Sequence, residues 1–199
     1  MLKTSLLSNT EAMQVARQNF YFEAIVKKKT TLIIGCGRKI EEGFTSSTIP
    51  NGLPCSMNRD HKNDLLIDID PRAQPDVSMD FGHWEHIRLD LIAPKHFKRI
   101  EFEYLSIHPM HFTETQISIW LRGADRLLAD NGEIAFINAH PGYLGIVNTF
   151  FSKLSHYEIK SDGTRCEKFI DVEGNVLRDR QGNEQDHKYC LVRKKRLWF

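Results

Sequence analysis

No two cysteines in this chain are spaced as C-x-x-C, and the four present, Cys36, Cys55, Cys166 and Cys190, are scattered along 199 residues. That spacing argues against a disulfide framework and for free thiols in a reducing compartment. It also fits no metal signature: Cys36, Cys55, His61 and His108 do not fall at the intervals of a zinc site. Net charge is also lacking, at +1. No global field therefore points to nucleic acid or a membrane as partner. The only basic cluster, Arg193-Lys194-Lys195-Arg196, reads as a solvated tail. No window reaches the ~20 apolar residues that cross a bilayer. The Met1–Leu7 stretch is too short and broken for a signal peptide, so a cytoplasmic location is expected. Internal repeats and low-complexity tracts are missing as well.

What remains is an ordinary globular composition, 41% hydrophobic and 27% charged, of a length that suits one domain over residues 1–199. Periodicity predicts a helix over 10–27, its stripe formed by Ala12, Val15, Ala16, Phe20, Phe22, Ala24 and Ile25 and its end by Lys27-Lys28-Lys29. The apolar run 30–35 reads as a central parallel strand. A long loop, about 38–63, follows without helical period. Strands are expected at 64–69 and near Val77-Ser78-Met79, and residues 84–98 stay open between helix and loop. A fourth strand is expected at 100–107. A helix is expected over 113–129, with Thr113 and Gln116 as a capping box and Asn131-Gly132 as its stop. The next strand is 133–138. A loop, His140-Pro141-Gly142, then leads to a helix at 143–154. A β-rich end, about 155–193, has strands at 156–160, 167–172 and 188–193. Alternating strands and helices ending in strands predict an α/β, three-layer, Rossmann-like sheet, mostly parallel with an antiparallel C-terminal strand.

Two strand ends carry the chemistry. Strand 30–35 stops at Gly35-Cys36-Gly37, a Gly-x-Gly turn that lets backbone approach a ligand where a Cβ would collide. Strand 64–69 carries Asp68 at its tip, where an acid can accept hydrogen bonds from a ribose. Asp80 ends the third strand, and His108 and His111 follow the fourth. A dinucleotide turn, G-x-G-x-x-G, would need glycine at position 40, where Ile40 stands.

Ile34-Gly35-Cys36-Gly37-Arg38-Lys39, then Glu42-Gly43-Phe44, Leu66-Ile67-Asp68-Ile69-Asp70-Pro71 and Gln74-Pro75-Asp76-Val77-Ser78-Met79-Asp80-Phe81 resemble class I S-adenosylmethionine-dependent methyltransferases over roughly residues 30–140. The resemblance implies S-adenosylmethionine as cofactor. Gly35, Cys36 and Gly37 would line its amino-acid and ribose part and Asp68 would accept from the ribose hydroxyls. Ile69 would pack on the adenine, Asp80 would receive the adenine amino group with Phe81 beside it, and Ile107 and His108 would flank the methyl donor. His108 and His111 would be the candidate catalytic bases.

Three features depart from the family pattern. Arg38-Lys39 replace a small third turn residue. The gap from Gly37 to Asp68 is long. His108-Pro109-Met110-His111 is not the Asn/Asp-Pro-Pro-aromatic motif of methyltransferases acting on DNA-base amines. The acceptor is therefore expected to be a small molecule or a protein, not a DNA-base amine. Two alternatives stay open: a non-enzymatic binding or effector module on the same fold, and a nicotinamide-dinucleotide oxidoreductase.

Overall fold

The computed structural model describes residues 9–36, 62–103, 111–137, 139–168, 175–176, 178, 181–184 and 186–195; at 164–167 and 186–189 it describes the backbone. Most of the 38–63 loop, Gly37, Ile40, Cys55, Ile107 and His108 lie outside the described residues.

Seven strands form one sheet in the order β3-β2-β1-β4-β5-β7-β6. They are β1 Thr31–Ile34, β2 Asp64–Asp68, β3 Val77–Ser78, β4 Phe97–Phe102, β5 Leu128–Ile137, β6 Tyr157–Lys168 and β7 Asp186–Lys194. β1 to β5 pair parallel, and β7 runs antiparallel between β5 and β6. The expected Rossmann-like α/β class and antiparallel C-terminal end are both observed. From β1 the chain steps outward to β2 and β3, then returns to place β4 on the other side of β1. This reversal puts the switch point of the sheet, where such folds bind ligands, at the carboxyl ends of β1 and β4.

The helices are α1 Asn9–Tyr21, continued by a π-helical turn Phe22–Val26, then α2 Trp84–Ile87, α3 Leu89–Ile92, α4 Glu114–Leu127 and α5 Pro141–Ser152. One buried cluster joins Phe20, Trp84, Leu89, Ile117, Leu121, Val147 and Phe151 to Leu32, Ile34, Leu65, Ile67, Ile100, Phe102, Ile134 and Phe136. These strand residues alternate, so they share one face of the sheet. The opposite face, with Ile33, Leu66, Ala135 and Ile137, is buried too, as a sheet covered on both sides requires. Parallel central strands therefore read as continuous apolar runs.

Several boundaries differ from the sequence reading. The fourth strand starts earlier than the expected 100, at Phe97, and runs to Phe102, where its ladder with β1 ends; Ile100 and Phe102 point into the helical layer, and residues 104–107 of the expected strand lie outside the described residues. His140-Pro141-Gly142 starts α5 instead of preceding it, because His140 Nδ1 accepts from the Gly142 N–H at 3.1 Å and Pro141 loses nothing at the first helical position. Of the strand expected at 167–172, residues 167–168 end β6, and 169–172 lie outside the described residues. β5 begins at Leu128, directly after α4, and Asn131 takes a left-handed φ of 66° within it. Residues 84–98 hold two single-turn helices, broken at Arg88 with φ 63°. In α1 only Ala16 and Phe20 are buried, while Val15 and Phe22 of the expected stripe face solvent.

The capping box of α4 is present: the Gln116 N–H donates to Thr113 Oγ1 and the Thr113 N–H to Gln116 Oε1. α4 docks on α2 through Gly123, where a Cβ would lie 2.7 Å from Trp84 Cδ1. The Trp84 indole N–H donates to Ile119 O at 2.9 Å, which fixes the ring against that glycine. Gly123→Ala is therefore expected to cost about 1–3 kcal/mol through overpacking. Urea denaturation checks it, and a native-like midpoint would contradict this packing.

Candidate functional site

The carboxyl ends of β1, β2, β3 and β4 lie side by side. At the first, Gly35 adopts φ 72°, a left-handed conformation that favours glycine. Its N–H donates to Ile67 O at 2.9 Å and the Cys36 N–H to the same oxygen at 3.3 Å, so the turn is bound to β2. The Cys36 side chain is 2% exposed and packs with Ile33, Leu66 and Ala73. Only the backbone of Cys36 is thus left to meet a ligand.

At the second end, Asp68 is half-buried and its Oδ1 accepts from the Asp70 N–H at 2.8 Å, an Asx turn that orients the carboxylate. Ile69, between two acids, is 71% exposed, so its side chain is open at the strand end. Asp70 is structural: it accepts from the Arg72 N–H and caps the turn Pro71–Ala73.

The third end is tied to the second by the Met79 N–H, which donates to Asp68 O at 2.9 Å. Asp80 Oδ1 accepts from the Gly82 N–H at 2.7 Å and so caps the turn Phe81–His83. Phe81 is buried, its ring edge-on to Phe102 at 6.2 Å, so it supports the floor of the site instead of lining it.

One residue here was missed by sequence reasoning. Glu103, 4% exposed, directly follows β4, and its N–H donates to Ile34 O at 3.0 Å, which sets it beside Gly35. With the strand read as 100–107, Glu103 looked like a mid-strand residue; the acid after Phe102 was the signal available. Trp120 is half-buried and packs against the core, its ring against Phe112 at 4.9 Å. His111 is exposed two residues before Thr113, the N-cap of α4.

No protein-family model and no curated protein sequence matches the chain. Among solved structures, the chain is similar to N-methyltransferase NodS from Bradyrhizobium japonicum WM9, at 13% identity and TM-score 0.43, over 96% of this chain and 100% of that one. It is similar to the complex of that enzyme with S-adenosyl-l-homocysteine, at 13% identity and TM-score 0.43, over 98% and 91% of the two chains. It is also similar to 1,6-didemethyltoxoflavin-N1-methyltransferase from Burkholderia thailandensis, at 10% identity and TM-score 0.39, over 94% and 80%. Likeness at this level assigns neither family nor activity; the strand order above stands on the chain itself.

Away from the site, two ionic clusters fasten the fold. Lys29 Nζ lies 2.7 Å from both Glu23 Oε2 and Asp76 Oδ2, at the amino end of the sheet. Lys194 Nζ reaches Asp125 Oδ1 and Asp125 O, each at 2.9 Å, and the Tyr157 hydroxyl donates to the same carboxylate at 2.9 Å. Burial opposes ionisation of both carboxyls. Contacts with Lys27 and Lys29 outweigh it at Glu23, and contacts with Lys194, Tyr157 and His156 outweigh it at Asp125. Both pKa values are held below their ordinary 4.5 and 3.8. A depressed folded-state pKa stabilises above the unfolded value and is lost as pH falls through the folded one. Stability is therefore expected to be flat in these groups above about pH 4.5 and to fall below it. Denaturation midpoints between pH 3 and 6 test this, and a midpoint independent of pH there would refute it. Burial pushes the Cys190 thiol up to about 12, aided by Asp162, so it stays protonated and unreactive near neutral pH.

Proposed function

We propose that the chain binds S-adenosylmethionine across the carboxyl ends of β1 to β4 and transfers its methyl group to a small-molecule or protein acceptor. The observation that carries this reading is the pair Asp68 and Asp80 on adjoining strand ends, each oriented by its own turn, with Ile69 exposed beside Asp68. Two carboxylates and an aliphatic surface fit the donors and the flat base of an adenosyl group. The left-handed Gly35 supports close backbone approach on the neighbouring strand.

The cofactor, when bound, supplies an electrophilic methyl on a sulfonium, ready for in-line displacement by an acceptor nucleophile. The protein's work is then mostly positioning. Asp68 accepts from the ribose hydroxyls, Asp80 accepts from the base amine, Ile69 covers the ring, and the backbone at Gly35, Cys36 and Gly37 borders the amino-acid part. Phe81 backs Asp80 from within the core. His108 and His111 are the proposed bases for an acceptor that must lose a proton. The reading extends to the cytoplasm as the place of action and to residues 1–199 as one methyltransferase-like unit. Calorimetric titration with S-adenosylmethionine tests it: saturable heat with Kd well below millimolar is expected, and no heat at millimolar cofactor contradicts it. Binding without methyl transfer to any acceptor would instead favour an adenosyl-binding module.

A further inference from the structure

The two tryptophans that α4 brings together are used differently. Trp84 spends its indole N–H on Ile119 O. Trp120 has no acceptor for its indole N–H among the described residues, although it is half-buried and pinned by the edge of Phe112, which in turn leans on Tyr143 at 6.0 Å. Its N–H is therefore available to an acceptor that enters beside it.

Its position is set by Gly82. A Cβ there would stand 3.1 Å from Asp80 Oδ1 and 3.2 Å from Trp120 Nε1. The carboxylate and the indole N–H thus both border the space that the missing Cβ of one glycine leaves. The capping box at Thr113 and the burial of Ile117 and Leu121 fix α4, and with it the height of the indole. An acceptor and a donor so placed match an edge that carries an exocyclic amine next to a ring nitrogen. The 6-aminopurine edge has that pattern, with its amine facing Asp80 and its ring nitrogen facing Trp120. A 6-oxopurine presents the reverse on its pairing edge, a carbonyl beside a protonated nitrogen.

The geometry points to Trp120 as a specificity-determining residue that, together with Asp80, selects an amino-purine base over an oxo-purine. The inference rests on the cofactor reading above and adds to it a donor supplied by α4. Gly82 suits the same geometry, since a Cβ there would crowd both the indole and the carboxylate.

The test is calorimetric titration of S-adenosylhomocysteine and S-inosylhomocysteine into wild-type protein and Trp120→Phe. Phenylalanine keeps an aromatic ring against Phe112 and removes the N–H donor together with part of the indole's bulk, and a thermal melt confirms folding. Wild type is expected to prefer the adenosyl ligand. Trp120→Phe should weaken that ligand about 3- to 10-fold, the worth of one hydrogen bond, and shrink the adenosyl-to-inosyl ratio by a similar factor. Gly82→Ala, which disturbs both groups from outside the ligand, should also lower the ratio. Wild-type affinity and ratio in folded Trp120→Phe would overturn the role of Trp120 while leaving cofactor binding intact. Failure of wild type to bind S-adenosylhomocysteine would overturn both readings.

Discussion

Lys29→Met is expected to cost about 3–5 kcal/mol of folding stability, the usual penalty for removing one partner of a buried ionic cluster. Lys29 is 4% exposed, sits two residues before β1, and neutralises Glu23 from the π-helical turn after α1 and Asp76 from just before β3. Asp76 Oδ2 also accepts from the Leu66 N–H in β2 at 3.0 Å, so the lysine fastens three elements through one ammonium. Its loss leaves two largely enclosed carboxylates facing each other. A typical domain has only about 5–15 kcal/mol in hand. The melting temperature should fall by roughly 6–20 °C. A triple variant, Lys29→Met with Glu23→Gln and Asp76→Asn, removes the stranded charges and should recover much of the loss. Equal destabilisation in the single and triple variants would show that packing, not charge, is what Lys29 supplies.

Asp68→Asn is expected to weaken adenosyl-ligand binding about 10- to 100-fold with little change in stability. Asn keeps an oxygen that can accept the Asp70 N–H and preserve the turn. It loses the charged acceptor, and hydrogen bonds to charged groups are worth about 1.5–3 kcal/mol. Asp68→Ala should weaken binding at least as much and also loosen the β2 end, because the turn contact goes too. Parallel calorimetry and thermal melts separate the two effects. Wild-type affinity in Asp68→Asn would remove Asp68 from the ribose site.

The legible parts of this fold were local. The α4 capping box is written in Thr113 and Gln116, three residues apart, and needs nothing else to form. The parallel core was legible because β1 and β2 are apolar on both faces. The glycine turn and Asp68 were legible because backbone approach and a strand-tip acid each leave a short signature. The early start of the fourth strand was not legible because Lys98 and Arg99 interrupt the apolar run between Phe97 and Ile100. His140 was missed as a helix start because histidine is an uncommon N-cap and the following Pro-Gly reads as a turn.

Other misses were long-range. Lys29 looked like one of three cations at a helix end, while its partner Asp76 lies 47 residues on. Val15 and Phe22 fit the helical period, but α1 and the π-helical turn after it pack through the narrower stripe of Ala16, Phe20 and Ala24. Trp120 gains its place in the site only when α4 is laid beside Gly82, a juxtaposition that no spacing in the sequence encodes.

The strand ends at Gly35, Asp68 and Asp80 are proposed to form an adenosyl site. A crystal structure grown with S-adenosylhomocysteine tests it most directly. Density for the ligand is predicted with its ribose hydroxyls on Asp68, its base amine on Asp80 and its ring over Ile69. An empty site at saturating ligand, or ligand bound elsewhere on the chain, would contradict the account.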